Sequence, residues 1–131
     1  MEHNVLSTTP HCNLLVIRSS DIDRAVTFYE AIGLSFAKHC HGSGPEHYTT
    51  AIDSLIFEIY PARTPTETTV ATRIGFTVDS INSVVKKLTD LNATIQKQPS
   101  HSEYGQRAIV LDFDGHTVEL MSSTKKCELN T

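Results

Sequence analysis

The chain has 131 residues and a mass of 14.5 kDa, a length that suits one compact domain burying roughly two-thirds of its unfolded surface. With 39% hydrophobic and 20% charged residues and a mean hydropathy of -0.19, the make-up is that of a globular chain and excludes fibrous, disordered and membrane-spanning classes. Eleven Lys and Arg against fifteen Asp and Glu give a formal charge of -4, which supplies no broad positive field, so neither nucleic acid nor a membrane is an expected partner.

Met1 to Pro10 is polar apart from Val5 and Leu6 and lacks the basic, apolar and small-residue succession of an export signal, which predicts a cytoplasmic protein. Cys12, Cys40 and Cys127 are odd in number, far apart and without a Cys-x-x-Cys pair. Three reduced thiols are expected rather than a disulfide framework or a structural zinc site.

In chain order, Leu14-Leu15-Val16-Ile17 is a short apolar run between Pro10 and Ser19-Ser20-Asp21, as for a buried strand. A helix follows, capped by Ser20 or Asp21, with Ile22, Val26, Tyr29 and Ile32 at helical spacing and Gly33 to stop it. Leu34 to His39, His47 to Ile52 and Leu55 to Tyr60 read as three further strands, the first two separated by a turn at Gly42-Ser43-Gly44-Pro45. Pro61 to Thr69 has two prolines and no apolar period, and reads as a linker.

Beyond the linker the pattern restarts. Arg73 to Val78 alternates like a half-buried strand, Asp79-Ser80 offers a helix cap, and Ile81, Val84, Val85, Leu88 and Leu91 form an apolar helical stripe ended by Asn92. Subtracting 59 maps Ile81, Val85, Leu88, Leu91 and Asn92 onto Ile22, Val26, Tyr29, Ile32 and Gly33, an internal repeat. Ala93 to Gln98, Gln106 to Asp112 and Thr117 to Met121 supply three more strands, with a loop at Pro99 to Gly105 and a tight turn at Phe113-Asp114-Gly115. Phe57-Glu58-Ile59 and Val118-Glu119-Leu120 match at an offset of 61. Strand alternation then puts each glutamate on the face opposite its apolar neighbours.

The stretches Asp21-Ile22-Asp23-Arg24-Ala25-Val26-Thr27-Phe28-Tyr29 with Gly33-Leu34, Phe57-Glu58-Ile59-Tyr60, Arg73 to Asp79, and Asp112 to Leu120 carry a resemblance to the glyoxalase/bleomycin resistance/dioxygenase group, also called the vicinal oxygen chelate superfamily. It spans roughly residues 11 to 123. The resemblance implies an α+β fold of two βαβββ modules, about 11–60 and 70–123, whose curved mixed sheets enclose a shared cavity, with terminal tails at 1–10 and 124–131. It also implies a homodimer, and in the enzymes of the group a divalent metal (Zn, Ni, Mn or Fe) that chelates vicinal oxygens of the substrate.

In metal-dependent members the ligands come from the first and last strand of each module. Those four places are Leu14, Glu58, Arg73 and Glu119. Only Glu58 and Glu119 match, because leucine has no donor atom and arginine stays protonated, so the metal site is incomplete and no cofactor is firmly implied. His11 lies at an odd offset from Leu14 and would need a bulge to substitute for it. Arg18 shares the face of Leu14, and Arg73 that of Gly75 and Thr77, which offers two guanidinium groups either to a ligand's carboxylate or phosphate or, for Arg73, to Glu119 itself.

Seven histidines are present, three of them, His39, His41 and His47, around the Gly-Ser-Gly-Pro turn. His47 is the best placed to line the cavity. His116 is expected at the surface, and Tyr104 to Arg107 on a loop at the pocket rim. The sequence therefore predicts a protein that binds a small anionic or oxygen-rich molecule through Arg18, His47 and Arg73. The alternative is a metal-dependent lyase or isomerase of glyoxalase type using Glu58 and Glu119. Whether any reaction is catalysed is left open by the residues.

Overall fold

A computed structural model describes residues 9–103 and 105–123. Tyr104, Cys127 and most of both tails lie outside the described residues. The chain forms β1 (Leu14–Ser19), α1 (Ile22–Ile32), β2 (Ala37–His39), β3 (His47–Ile52) and β4 (Leu55–Pro61). It then repeats the order with β5 (Arg73–Thr77), α2 (Ile81–Asp90), β6 (Thr94–Ser102), β7 (Gly105–Leu111) and β8 (Thr117–Ser123). This is the expected pair of βαβββ modules. Each has a four-stranded mixed sheet, ordered β1-β4-β3-β2 and β5-β8-β7-β6, with the first and last strands parallel and the others antiparallel.

Both helices begin on side-chain caps. Asp21 Oδ1 accepts from the Arg24 N–H at 3.1 Å and Ser80 Oγ from the Ser83 N–H at 3.3 Å, each satisfying one donor that the first turn leaves open. The stop residues aligned by the repeat also do the same job: Gly33 has φ 125 and Asn92 φ 65, backbone that glycine and asparagine tolerate best.

Alternation along the strands divides each sheet into two faces. Ile17, Phe57 and Ile59 in the first sheet, and Ile74, Ala108, Val110, Val118 and Leu120 in the second, join Ala25, Phe28, Tyr29, Ile81, Val84 and Leu88 in one core that runs through both modules. Ring contacts cross the module boundary, with Tyr29 6.1 Å and Phe57 6.2 Å from Phe76. The opposite faces stay open: Leu14 is 52% and Ile56 38% exposed, although both are large apolar residues.

Three expectations change. β6 runs through Pro99 where a loop was expected, because it is the edge strand and already carries register shifts, the setting in which a strand tolerates proline. With β7 starting at Gly105, Arg107 stands on a strand rather than on a rim loop. His116, expected at the surface, is fully buried. Asp112 Oδ1 accepts the backbone N–H groups of Asp114, Gly115 and His116, and this tight turn places the imidazole inward between Asp112 and the linker.

The linker is held at that point. His116 Nδ1 stands 2.8 Å from Asp112 Oδ2 and Nε2 2.6 Å from Thr69 Oγ1, which also accepts the Arg18 N–H at 2.9 Å. Tyr29 O–H donates to Asp112 Oδ2 at 2.6 Å, and Ser19 O–H to Asp114 Oδ2 at 2.6 Å. The turn of the second module is thus bonded to the strand, helix and linker of the first.

Candidate functional site

On the open face of the first sheet, Glu58 sits on β4 opposite Val16 of β1 and Thr49 of β3. His47, at the start of β3, is only 2% exposed. Its ring stacks on Tyr60 at 4.1 Å with planes 7° apart. Its Nδ1 lies 3.2 Å from the Pro45 carbonyl oxygen, and its Nε2, which has no hydrogen-bond partner, lies 3.7 Å from Glu58 Oε2. Arg18 extends the row, its guanidinium carbon 5.3 Å from the Tyr60 ring centre and its Nη1 donating to the Pro61 carbonyl. Arg18, Tyr60, His47 and His39 therefore lie side by side across β1, β4, β3 and β2. Cross-strand neighbours on one face touch in this way.

The second sheet carries a different group at the equivalent place. Glu119, on β8 opposite Gly75, accepts from two arginines. Arg73 Nε binds Oε2, and Arg107 donates from Nε and Nη2 to Oε1 at 3.1 and 2.8 Å. These donations, first from Arg107 and then from Arg73, hold the Glu119 carboxyl below the usual range. The three side chains bear one net positive charge, and Arg73 remains 54% exposed. Its unused N–H groups, and those of Arg107, are free to meet an anion.

All five residues expected from the sequence lie on the open faces, but in two separate groups. Arg18, His47 and Glu58 belong to the first sheet, Arg73 and Glu119 to the second. Among the described residues no hydrogen bond or ion pair joins the groups, and no three His, Cys, Asp or Glu side chains are assembled to hold a metal ion. Two hollows of about 560 and 610 Å³ lie between the modules. Arg18 reaches the first, which the linker residues Arg63, Glu67 and Thr68 help to wall, while neither Glu58 nor Glu119 lines either one.

Two members of these groups were not singled out as ligand contacts from the sequence. Tyr60 is two residues after Glu58, so the period of a strand already placed it on the open face. Arg107 had no such signal, because its distance from Glu119 depends on the register of β7 against β8.

A family model described as the Glyoxalase/Bleomycin resistance protein/Dioxygenase superfamily matches residues 10–120. Solved structures with the same fold include an antibiotic binding protein, TnmS3, from Streptomyces sp. CB03234, 19% identical with a TM-score of 0.68, over 88% of this chain and 98% of that one. A second is the oxidase ChaP-H2, 16% identical with a TM-score of 0.70 over 88% and 94%. A third is a glyoxalase/bleomycin resistance protein from Streptomyces sp. CB03234, 20% identical with a TM-score of 0.64 over 85% and 99%. No curated protein matches the sequence.

Proposed function

The chain belongs to the glyoxalase/bleomycin resistance protein/dioxygenase superfamily, and from that premise we propose that it binds a small anionic or oxygen-rich molecule on the open faces of its sheets. The observation that carries this reading is the Arg73–Glu119–Arg107 group. A carboxylate held by two guanidinium groups leaves a net positive, partly exposed pair of planar forks, the geometry that takes a carboxylate or phosphate in two parallel hydrogen bonds. On the open face of the other sheet, the Arg18, Tyr60 and His47 row offers further donors and a flat aromatic surface for the rest of the molecule. That TnmS3 is described as an antibiotic binding protein is consistent with a binding role.

The second part of the proposal is a homodimer in which the first sheet of one copy faces the second sheet of the other. It rests on Leu14 and Ile56, large apolar side chains left exposed on an open face, where a second copy would cover them. The dimer would bring the two half-sites together around one ligand. The two free thiols that are described, Cys12 and Cys40, are exposed and fit a reducing, cytoplasmic setting.

The glyoxalase-type lyase or isomerase is the weaker reading. It needs Glu119 as a metal ligand, yet both oxygens of that carboxylate are already occupied by arginines. The test is a thermal-shift screen of small carboxylates, phosphates and polyols. Hits should stabilise the parent and lose their effect in R73A and R107A. If every hit binds R73A as tightly as the parent, the arginine assignment is wrong.

A further inference from the structure

We propose that Glu58 and the unpaired Nε2 of His47 form a cation subsite, which takes a protonated amine or an amidinium of the ligand whose anionic group meets Arg73 and Arg107. The inference rests on the anion reading for that second group only, and the two together make the preferred ligand zwitterionic.

The internal repeat supplies the first observation. An offset of 61 carries Glu58 onto Glu119, Ile56 onto Thr117 and Tyr60 onto Met121. Arg73 of β5 stands beside Thr117 as Leu14 of β1 stands beside Ile56. Arg107 of β7 stands beside Met121, and the matching place on β3 belongs to His47, whose ring stacks on Tyr60. The two arginines that hold Glu119 are thus replaced around Glu58 by a leucine and an imidazole. The first sheet has the carboxylate of the second without its counter-charges.

Nothing else on the sheet supplies them. The Lys and Arg residues on its strands are Arg18 and Lys38. Arg18 Nη1 donates to the Pro61 carbonyl, and Lys38 Nζ pairs with Asp23 and Glu46. Among the described residues Glu58 accepts no hydrogen bond, although its side chain is only 19% exposed. A carboxylate so far withdrawn from water is costly to leave unpaired.

His47 adds a second acceptor. The Pro45 carbonyl accepts from its Nδ1 N–H, which leaves the buried, unpartnered Nε2 with a free lone pair. Nε2 stands 3.7 Å from Glu58 Oε2, too far for a hydrogen bond between them. Two acceptors at that spacing can both lie about 2.9 Å from one nitrogen, with its N–H···acceptor angles at about 155°. An ammonium or amidinium nitrogen therefore pairs the lone pair and the charge at once. A metal ion is not served in the same way, because no third His, Cys, Asp or Glu side chain is assembled with these two among the described residues.

The test is an amide-shift titration of the full chain with hexylammonium chloride, followed also at the imidazole nitrogens. Backbone shifts at His47 and Glu58 and a displaced His47 Nε2 resonance are expected in the parent. Hexyltrimethylammonium keeps the charge but has no N–H, and should bind about tenfold more weakly; E58Q should lower the hexylammonium affinity about tenfold or more, the worth of a hydrogen bond to a charged group. Glutamine keeps the shape of Glu58, which lies off the core, so the circular dichroism of E58Q should match the parent. A parallel titration with hexanoate reads the arginines alone. If hexylammonium binds and hexanoate leaves Arg73 and Arg107 unmoved, the anion reading fails and the cation subsite stands. The proposal is overturned if the parent shows no shift at His47 and Glu58 at about 10 mM hexylammonium, if the trimethyl compound binds as tightly, or if E58Q does.

Discussion

Tyr29 of the first module donates its hydroxyl proton to Asp112 of the second at 2.6 Å, with both residues buried. A tyrosine buried at this depth needs a partner for its hydroxyl, and burial, together with the Asp112 carboxylate, pushes its ionisation far above the usual value. The bond ties α1 to the turn that precedes β8. Y29F should lower stability by about 1.5–3 kcal/mol, the worth of a hydrogen bond to a charged group, read as a drop in the midpoint of thermal or urea unfolding. An unchanged midpoint would mean that this bond adds nothing to the joint beyond the Ser19–Asp114 and Thr69–His116 contacts beside it.

Acid should loosen the same joint. Burial pushes the Asp112 carboxyl up, but hydrogen bonds from His116 and Tyr29 outweigh it, and the net shift is downward. Glu119 is also lowered, by Arg107 and then Arg73. A carboxyl whose folded pKa lies below its unfolded one contributes stability that is fully present above the unfolded value and is lost as pH falls through the folded value. Melting temperature should therefore hold level from neutrality to about pH 5 and fall below about pH 4. D112N should be less stable at pH 7 and should show a shallower acid limb. A D112N profile parallel to the parent's would remove Asp112 from the account.

Glu119 is a counter-charge to two arginines in this reading, and its removal should strengthen anion binding. E119Q keeps the shape and frees the guanidinium groups of a negative neighbour, a gain of about 1 kcal/mol or up to about tenfold in affinity at a partly exposed site. Calorimetry with a hit from the anion screen reads this directly. Weaker binding to E119Q would point instead to the carboxylate contacting the ligand or a metal.

The exposed pair Leu14 and Ile56 makes the dimer testable. I56K places a charge on the open face without touching the core. It should turn a dimeric parent into a monomer by sedimentation velocity, with the circular dichroism spectrum preserved. A monomeric parent would contradict the composite cavity.

The repeat, the helix caps and the face of every strand glutamate were legible in the sequence because each follows from local periodicity. Ile22 to Ile32 and Ile81 to Asp90 announce themselves by apolar spacing and by Asp21 and Ser80. The path of β6 through Pro99 was not legible, since the edge position that tolerates proline is a property of the sheet. His116 looked like a surface residue beside a turn. Only the fold brings Asp112 and Thr69 to either side of its ring. The same limit hid Arg107: two residues 12 apart meet across a hairpin whose register the sequence does not print. The candidate ligand residues were identified by type and face, whereas their division between two sheets is a fact of three dimensions.

The central claim, that the open sheet faces bind the ligand, is tested most directly by mapping backbone amide shifts during titration with the best anionic hit. The account predicts shifts at Tyr60, His47 and Glu58 in one module and at Arg73, Arg107 and Glu119 in the other, saturating together. Shifts confined to the linker hollow around Arg63, Glu67 and Thr68 would contradict it.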